Sequence, residues 1–382
     1  MKILVTNATR NAGFAVVQVL TKSNCEVIGA DDRKLPFGIH SRHTKPNYLY
    51  ADIESDSFVE SLIRIIRKEK PDVLLPVSGT SQISYHKSEL EKHTNLLVPD
   101  YISFMAADDN QITLEECRKL NIDCPEILSR KKAIDILQSN KNRTNTTRVV
   151  LKARKNIGRS EGLFYVDTPS EMERTIAENE KKYGDYIIEE FIPGTQRMKT
   201  LNLLFDKSSR LAAYFTTHKL KEWPNTGGLA ALSISTNDWH LVQWVLPFFK
   251  KWRYQGVAEV ELKMDPRDGK PKLIEINPRF WDYIGFPVRC GVNFPFLASK
   301  LALDNSRNVK TYPSYPVNTK YINPYLYIKA TLSEIMSSKQ KIKMLGKALI
   351  QLKGKKVGNF FELLYIKVNI AKMLLQLLGK SG

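Results

Sequence analysis

The sequence predicts a parallel α/β lobe, then an antiparallel α+β unit, then a basic helical extension. Three observations predict it. The chain has 382 residues, too many for one small core and enough for two or three packed subdomains. Up to about residue 100, short apolar runs alternate with helical segments. After Arg148 the apolar runs crowd together in a meander-like spacing, and after Asn305 the composition turns basic.

The elements follow in order. "KILVT" reads as a short buried strand, "NATRNAG" as a loop, Phe14 to Lys22 as a helix and "EVIGADD" as a second strand. "SDSFVESLIRIIRKEKPDVLLPVSG" adds a helix and a strand, and "NLLVP" a further short strand. Such alternation argues a Rossmann-like parallel sheet over residues 1–106. "YISFMAADDNQITLEECRKLNIDCPE" reads as helices ending before Pro125, and "RKKAIDILQSNKNRTNTTR" as a helix and polar loop. "RVVLKAR", "LFYV", "DYIIEEF", "KTLNLLF", "RLAAYFTTHKL" and "LAALSIS" are strand candidates, with a helix from Pro169 to Lys181. "WHLVQWVLPFFKKW" reads as a helix despite Pro247, and "GVAEVELKMDPRDGKPKLIEIN" as a hairpin turning at Pro266 to Gly269. These elements make a second unit over residues 107–305, with a flap over 148–192. Residues 306–382 form a Pro- and Tyr-rich linker and a helical tail.

Apolar content of 42% and charged content of 26% suit a globular protein. The four cysteines are scattered without a CxxC pair, the opening "MKILVTNATR" lacks a signal pattern, and no run approaches the roughly 18 apolar residues that span a bilayer. A cytoplasmic setting is expected. Net charge is +18. From Arg307 onward, 14 Lys or Arg stand against Glu334 and Glu362, which is +12, leaving +6 for the first 306 residues.

The hairpin carries the densest chemistry. Alternation puts Glu275, Asn277 and Arg279 on one strand face, with Glu261 opposite on the partner strand. Two carboxylates and an amide oxygen are hard donors suited to Mg²⁺ on nucleotide phosphates, and Arg279 suits a phosphoryl group. A solvated face with a salt bridge is the alternative. Lys152 sits within an apolar strand, where an anionic ligand would relieve the cost of its charge. The loop from Asn156 to Gly162, with Gly158, Ser160 and Gly162, reads either as a phosphate flap or as an ordinary hairpin loop. In "YIIEEFIPGTQ" an apolar hinge follows Glu189 and Glu190. Backbone groups there could hold an adenine edge, and Gln196 could reach a ribose. "HKLKEWPNTGG", with His218, Lys219 and Lys221, reads as a loop facing phosphate or carboxylate; a lone His is more often structural. Asp31 ends the second strand as a ribose-binding acid would, but "VTNATRNAGFAVV" lacks G-x-G-x-x-G and holds only Gly13, so a dinucleotide site is the minor alternative.

In this order and spacing the motifs resemble the ATP-grasp superfamily over roughly Met1 to Asn305. "HKLKEWPNTGG" and "EINPRFW" look most like its carboxylate–amine ligases, relatives of the ATP-binding halves of carbamoyl phosphate synthases. The resemblance implies ATP and Mg²⁺, with Mn²⁺ as a substitute. It implies Lys152 on the α- and β-phosphates beneath the flap of Gly158, Ser160 and Gly162. Glu189 would meet the adenine amino group, with the backbone of Glu190, Phe191 and Ile192 along its edge and Gln196 at the ribose. Glu261, Glu275 and Asn277 would hold the metal, and Arg279 and Lys219 would act on the reacting groups. The substrates would be a small carboxylate and an amine, joined through an acyl phosphate. The chain departs from the family at Asn110, where a lysine is usual, at Gln196, where Glu is usual, and at Asp282 and Tyr283, where small residues are usual. Those departures motivate an alternative, a nucleotide-binding scaffold or sensor that no longer ligates. Homodimers are common among resembling proteins.

The tail reads as two helical stretches. In the first, Ile335, Ile342, Leu345, Leu349 and Leu352 lie near one face, with Lys339, Lys343, Lys347 and Lys353 elsewhere. The second, "NFFELLYIKVNIAKMLLQLLGK", is more apolar. An anionic membrane surface is one partner such helices suit, giving a peripheral location; packing on the body or a second subunit is another. No nucleic-acid module is present.

Overall fold

The computed structural model describes residues 1–9, 11–32, 47–139, 148–155, 162–194, 198–224, 228–303 and 314–338, and, beyond these, 340, 343, 346, 348, 350–354 and 356–358. The first lobe comprises β1 (Lys2–Thr6), α1 (Asn11–Lys22), β2 (Glu26–Asp31), β3 (Asn47–Leu49), α2 (Phe58–Glu69), β4 (Val73–Leu75), α3 (Thr80–Tyr85), α4 (Lys87–Leu90) and β5 (Asn95–Leu96). Its strands form one parallel sheet in the order β3-β2-β1-β4-β5. Alternation along β1 explains the layering. Ile3 and Val5 pack toward α1, and Leu4 packs toward α2. Gly13 lies where α1 crosses the end of β1. A Cβ there would stand 1.9 Å from the carbonyl oxygen of Asn7. Asp31 accepts from the backbone N–H and hydroxyl of Thr9, at 3.1 and 2.5 Å, so it is committed locally.

Two helices, α5 (Tyr101–Asp108) and α6 (Asn110–Lys119), lead to α7 (Arg130–Gln138). The Asp109 carboxylate caps α6 by accepting from the N–H groups of Gln111 and Ile112. A small antiparallel sheet follows, β6 (Val149–Ala153), β7 (Leu163–Val166) and β8 (Tyr186–Glu190), in the order β7-β6-β8, backed by α7 and α8 (Pro169–Tyr183).

The large sheet holds β9 (Met198–Phe205), β10 (Leu211–Trp223), β11 (Leu229–Thr236), β12 (Gly256–Met264) and β13 (Pro271–Asn277), with α9 (Trp239–Lys251) between β11 and β12. α9 runs through Pro247, as expected. Helices α10 (Gly285–Arg289) and α11 (Phe294–Leu303) pack back onto the first lobe, followed by β14 (Lys320–Ile322), α12 (Pro324–Ser337) and β15 (Lys356–Gly358). Sheet order is β13-β12-β9-β10-β11-β14-β15. Ala258, Val260 and Leu262 of β12 are fully buried with Phe248 and Phe249 of α9. Glu259, Glu261 and Lys263 therefore take the opposite face.

Three expectations change. "HKLKEW" is strand, not loop, because β10 continues to Trp223 and pairs with β11 through a register slip around Leu220. The linker "TYPSYPVNTKYINPYLY" contains β14 and the start of α12, and Tyr315 donates to Thr216 of β10 or accepts from it. The first tail helix begins earlier, at Pro324, because Asn323 caps Leu326 N–H and Pro324 fits the first turn; it stops at Ser337. Residues of the second tail stretch from Asn359 lie outside the described residues. Among the described residues, no helix is long and apolar enough to cross a membrane.

Gly13→Ala should lose roughly 1–3 kcal/mol, since the clash is with backbone and cannot be relieved by a rotamer. Urea unfolding measures it; unchanged stability would mean the α1–β1 crossing is looser than this.

Candidate functional site

The site grows from the pairing of β12 with β13. Glu261 pairs with Glu275 and Glu259 with Asn277, so four polar side chains share one face as alternation predicts. Strand β10 adds Lys219 to this face. Its ammonium is 2.9 Å from Glu261 Oε1 and 3.5 Å from Glu222 Oε1. The slip around Leu220 returns Glu222 to that face and sends Lys221 toward α12, where it meets Glu334 at 2.6 Å. His218 falls on the face opposite Lys219 and does not join the site.

The small sheet closes over this platform. The Lys152 ammonium donates to the Ile274 carbonyl at 3.0 Å and pairs with Glu275 Oε2 at 3.1 Å. The Asn277 amide donates to Glu275 Oε1 at 3.1 Å, and Arg279 Nη2 donates to Asn277 Oδ1 at 2.9 Å. Lys152, Glu275, Asn277 and Arg279 thus form one bonded chain, and the Lys219–Glu261 pair adjoins it where Glu261 lies opposite Glu275.

Glu189 shares the Lys152 face of the small sheet, is 3% exposed, and its Oε1 has no hydrogen-bond partner. A buried acceptor without a donor is costly unless a ligand supplies one. Glu190 points the other way, pairing with Arg267 at 2.7 Å. At the hinge, Phe191 packs edge-on against Tyr165, and the Ile192 carbonyl accepts from Lys263 Nζ at 2.7 Å. Gly162 has φ +73°, the left-handed region, and its carbonyl accepts from Ala153 N–H at 2.8 Å. Gly158, Ser160 and Gln196 lie outside the described residues.

Electrostatics mark the same place. Burial pushes Glu261 up to about 7, against the pull of Lys219 and with Glu275 and Glu259 adding to the rise. Burial also raises Glu259 and Glu189, opposed by Lys219 and Lys152 respectively. Burial would raise Glu275 too, but Lys152 and the Asn277 amide outweigh it and hold its carboxyl below the ordinary value. Asp108, at the end of α5, is pushed up to about 7 by burial despite Arg279. Lys152, Lys219, Lys263 and Arg279 face these carboxylates, with Lys155 near Asp108 and Arg118 near Glu189.

The paired carboxylates of β12 and β13 and the orphaned Glu189 oxygen fit a divalent cation with a nucleotide. Among the described residues, no group of three or more His, Cys, Asp or Glu is placed to hold a metal by itself. Two carboxylates and an amide oxygen suit Mg²⁺, which keeps part of its shell for phosphates and water.

Glu259, Glu222, Lys263 and Asp108 are not among the residues the sequence singles out, and Tyr283 stands out there only as a departure from small residues. Glu259 and Lys263 carry the alternation of "AEVELKM" and were findable from it. Glu222 was hidden by reading its strand as a loop. Tyr283 donates to Glu259 Oε1 at 2.6 Å and accepts from the Thr200 hydroxyl at 2.8 Å, a contact between distant segments that no local pattern reveals. Asn110, where a lysine was expected, is structural here: its amide donates to the Ala153 carbonyl at 2.9 Å.

Comparisons with known proteins agree with this geometry. No family model matches the chain. It is 26% identical over 275 residues to the D-aspartate ligase of Enterococcus faecium (strain Aus0004), covering 66% of this chain and 65% of that protein. The chain therefore spans slightly under two thirds of that relative's length. In structure it is similar to the biotin carboxylase domain of Hydrogenobacter thermophilus 2-oxoglutarate carboxylase, solved with MgADP, ADP and bicarbonate (TM-score 0.66, 15% identity, 84% of this chain and 73% of that one). It is also similar to N5-carboxyaminoimidazole synthetase from Staphylococcus aureus, solved with ADP (TM-score 0.61, 13% identity, 82% and 80%). The L-amino acid ligase of Bacillus licheniformis gives a TM-score of 0.59 at 15% identity over 80% and 74%. The parallel lobe, the small closing sheet and the large antiparallel sheet give the chain the ATP-grasp fold that these structures share.

Proposed function

We propose that the chain is an ATP- and Mg²⁺-dependent ligase that joins a carboxylate to an amine, releasing ADP and phosphate. The observation that carries this reading is the gathering of Glu275, Asn277, Arg279, Lys219 and Glu261 at one face of the large sheet, with Lys152 of the small sheet bonded to Glu275. The likeness to a D-aspartate ligase supports an amino-acid carboxylate as the substrate, with D-aspartate the first to test.

Each residue has a physical role. Glu189 accepts from the adenine amino group, and the Phe191–Ile192 backbone lines the base. Lys152 leaves Glu275 for the α- and β-phosphates, and Lys219 is close enough to leave Glu261 for an anionic substrate group. Glu261, Glu275 and the Asn277 oxygen would hold Mg²⁺, which supplies charge neutralisation on the phosphates. The substrate carboxylate attacks the γ-phosphorus, the bond to the bridging oxygen breaks, and ADP leaves. Arg279 faces the oxygens where charge gathers. The amine then attacks the acyl carbon, phosphate departs, and the amine proton passes to solvent or a nearby carboxylate. No side-chain nucleophile is needed; positioning and charge stabilisation suffice.

Two predictions follow from the roles. Glu275→Gln and Arg279→Gln should each slow ADP release, with D-aspartate and an amine present, by roughly 10²-fold or more, while circular dichroism stays unchanged. Undiminished turnover in both would overturn the assignment; nucleotide binding without turnover over a broad substrate panel would favour a scaffold role.

The second concerns pH. Glu261 holds a proton below about 7 and must lose it to meet a metal. Calorimetric Mg²⁺·ATP affinity should therefore strengthen between about pH 6 and about pH 8, with Glu261→Gln flattening the dependence. The same raised value makes the ligand-free chain less stable as pH climbs from 4.5, the ordinary carboxyl value, to about 7. The reason is that the folded carboxyl holds a proton that the unfolded one releases. An affinity flat in pH would show that Glu261 is not at the metal.

A further inference from the structure

Helix α12 buries one side and exposes an apolar one. Tyr327 and Ala330 are buried in the cluster with Ala231 and Leu232 of β11, and Thr331 and Glu334 meet the buried Lys221 ammonium at 3.2 and 2.6 Å. Those four positions lie on one helical stripe. On the other side, Ile328, Leu332 and Met336 recur every fourth residue and are 58%, 53% and 81% exposed. Lys329 lies beside them with its ammonium 4.6 Å over the Tyr325 ring, and Ile350, further along, is 64% exposed. Scattered exposed apolar residues are ordinary, but a contiguous helical row of them marks a contact surface.

We propose that the Ile328–Leu332–Met336 stripe docks on an anionic lipid surface, with α12 lying in the interface. Charge complementarity selects this occupant. Residues 307–382 carry 14 Lys or Arg against two Glu, a net of +12. Lys343 and Lys353, beyond the helix, are exposed. An anionic headgroup layer attracts such a segment, whereas a second copy of the chain brings the same positive charge to the contact. Three or four side chains also fall well short of the roughly 800 Å² per partner that a stable dimer buries. The 14 residues of α12 extend about 21 Å at 1.5 Å per residue, too short to span hydrocarbon but long enough to lie along its edge. This inference is independent of the ligase reading, because the stripe faces away from the sheet on which α12 rests.

The test is co-sedimentation of the full chain with vesicles of phosphatidylcholine alone or mixed with phosphatidylglycerol, at low and high salt. A Leu332→Ser/Met336→Ser double variant is run alongside. Both positions are exposed, so circular dichroism and ATP binding should match the parent. The expected result is binding only to the phosphatidylglycerol vesicles, weakened by salt and lowered roughly tenfold or more in the variant. Equal binding of variant and parent, equal binding to neutral vesicles, or no vesicle binding at all would each overturn the proposal. So would a light-scattering mass that falls from dimer to monomer in the variant, which would make the stripe a contact between copies.

Discussion

The pairing of β12 with β13 governs the molecule, because it forces two incompatible environments onto one two-stranded surface. Ala258, Val260, Leu262, Leu273 and Ile276 must bury beneath α9. Strand geometry then commits Glu259, Glu261, Glu275 and Asn277 to the other face, where the small sheet and β10 exclude most water. A one-residue slip would drive carboxylates into the α9 core, so the apolar half of the pairing fixes the register of the polar half.

Burying several carboxylates together costs free energy that only counter-charge can offset. In the ligand-free chain the ammonium groups of Lys152 and Lys219 provide it, at 3.1 and 2.9 Å. Burial nevertheless raises Glu261, Glu259 and Glu189, and neighbouring carboxylates add to the rise. Buried ion pairs of this kind are poor evidence for stability, but they are a reasonable store of binding capacity. A divalent cation can take the place of the ammonium groups on the carboxylates, and phosphates can take the place of the carboxylates on the lysines. Behind this layer, Tyr283 ties Glu259 to Thr200, and Asn202 donates to the Tyr283 hydroxyl at 3.2 Å. The floor of the site is thereby fixed by side chains more than 80 residues apart in sequence, in line with the departure from small residues noted at Tyr283.

Much of this was legible in the sequence because alternation is a local signal. The shared face of Glu275, Asn277 and Glu261, the buried position of Lys152 and the parallel order of the first lobe all follow from periodicity within single segments. What was not legible depended on tertiary pairing. The slip around Leu220 cannot be read from "HKLKEWPNTGG", whose Pro and Gly residues signal a loop; pairing with β11 keeps it strand as far as Trp223. The linker's Pro and Tyr residues hid β14, which forms only because β11 offers it an edge. Glu222 joins the site through that slip, and Asn110 is explained by the Ala153 carbonyl it meets across 43 residues.

On this reading the small sheet and the β12–β13 face together hold a metal-bound nucleotide. Calorimetric titration of the chain with ATP and Mg²⁺, beside Lys152→Ala, tests it most directly. Micromolar binding that depends on Mg²⁺ and weakens at least roughly tenfold in the variant is expected, as loss of a charge-assisted contact requires. Equal affinity in both proteins, or folded protein that binds no nucleotide at any Mg²⁺ concentration, would contradict it.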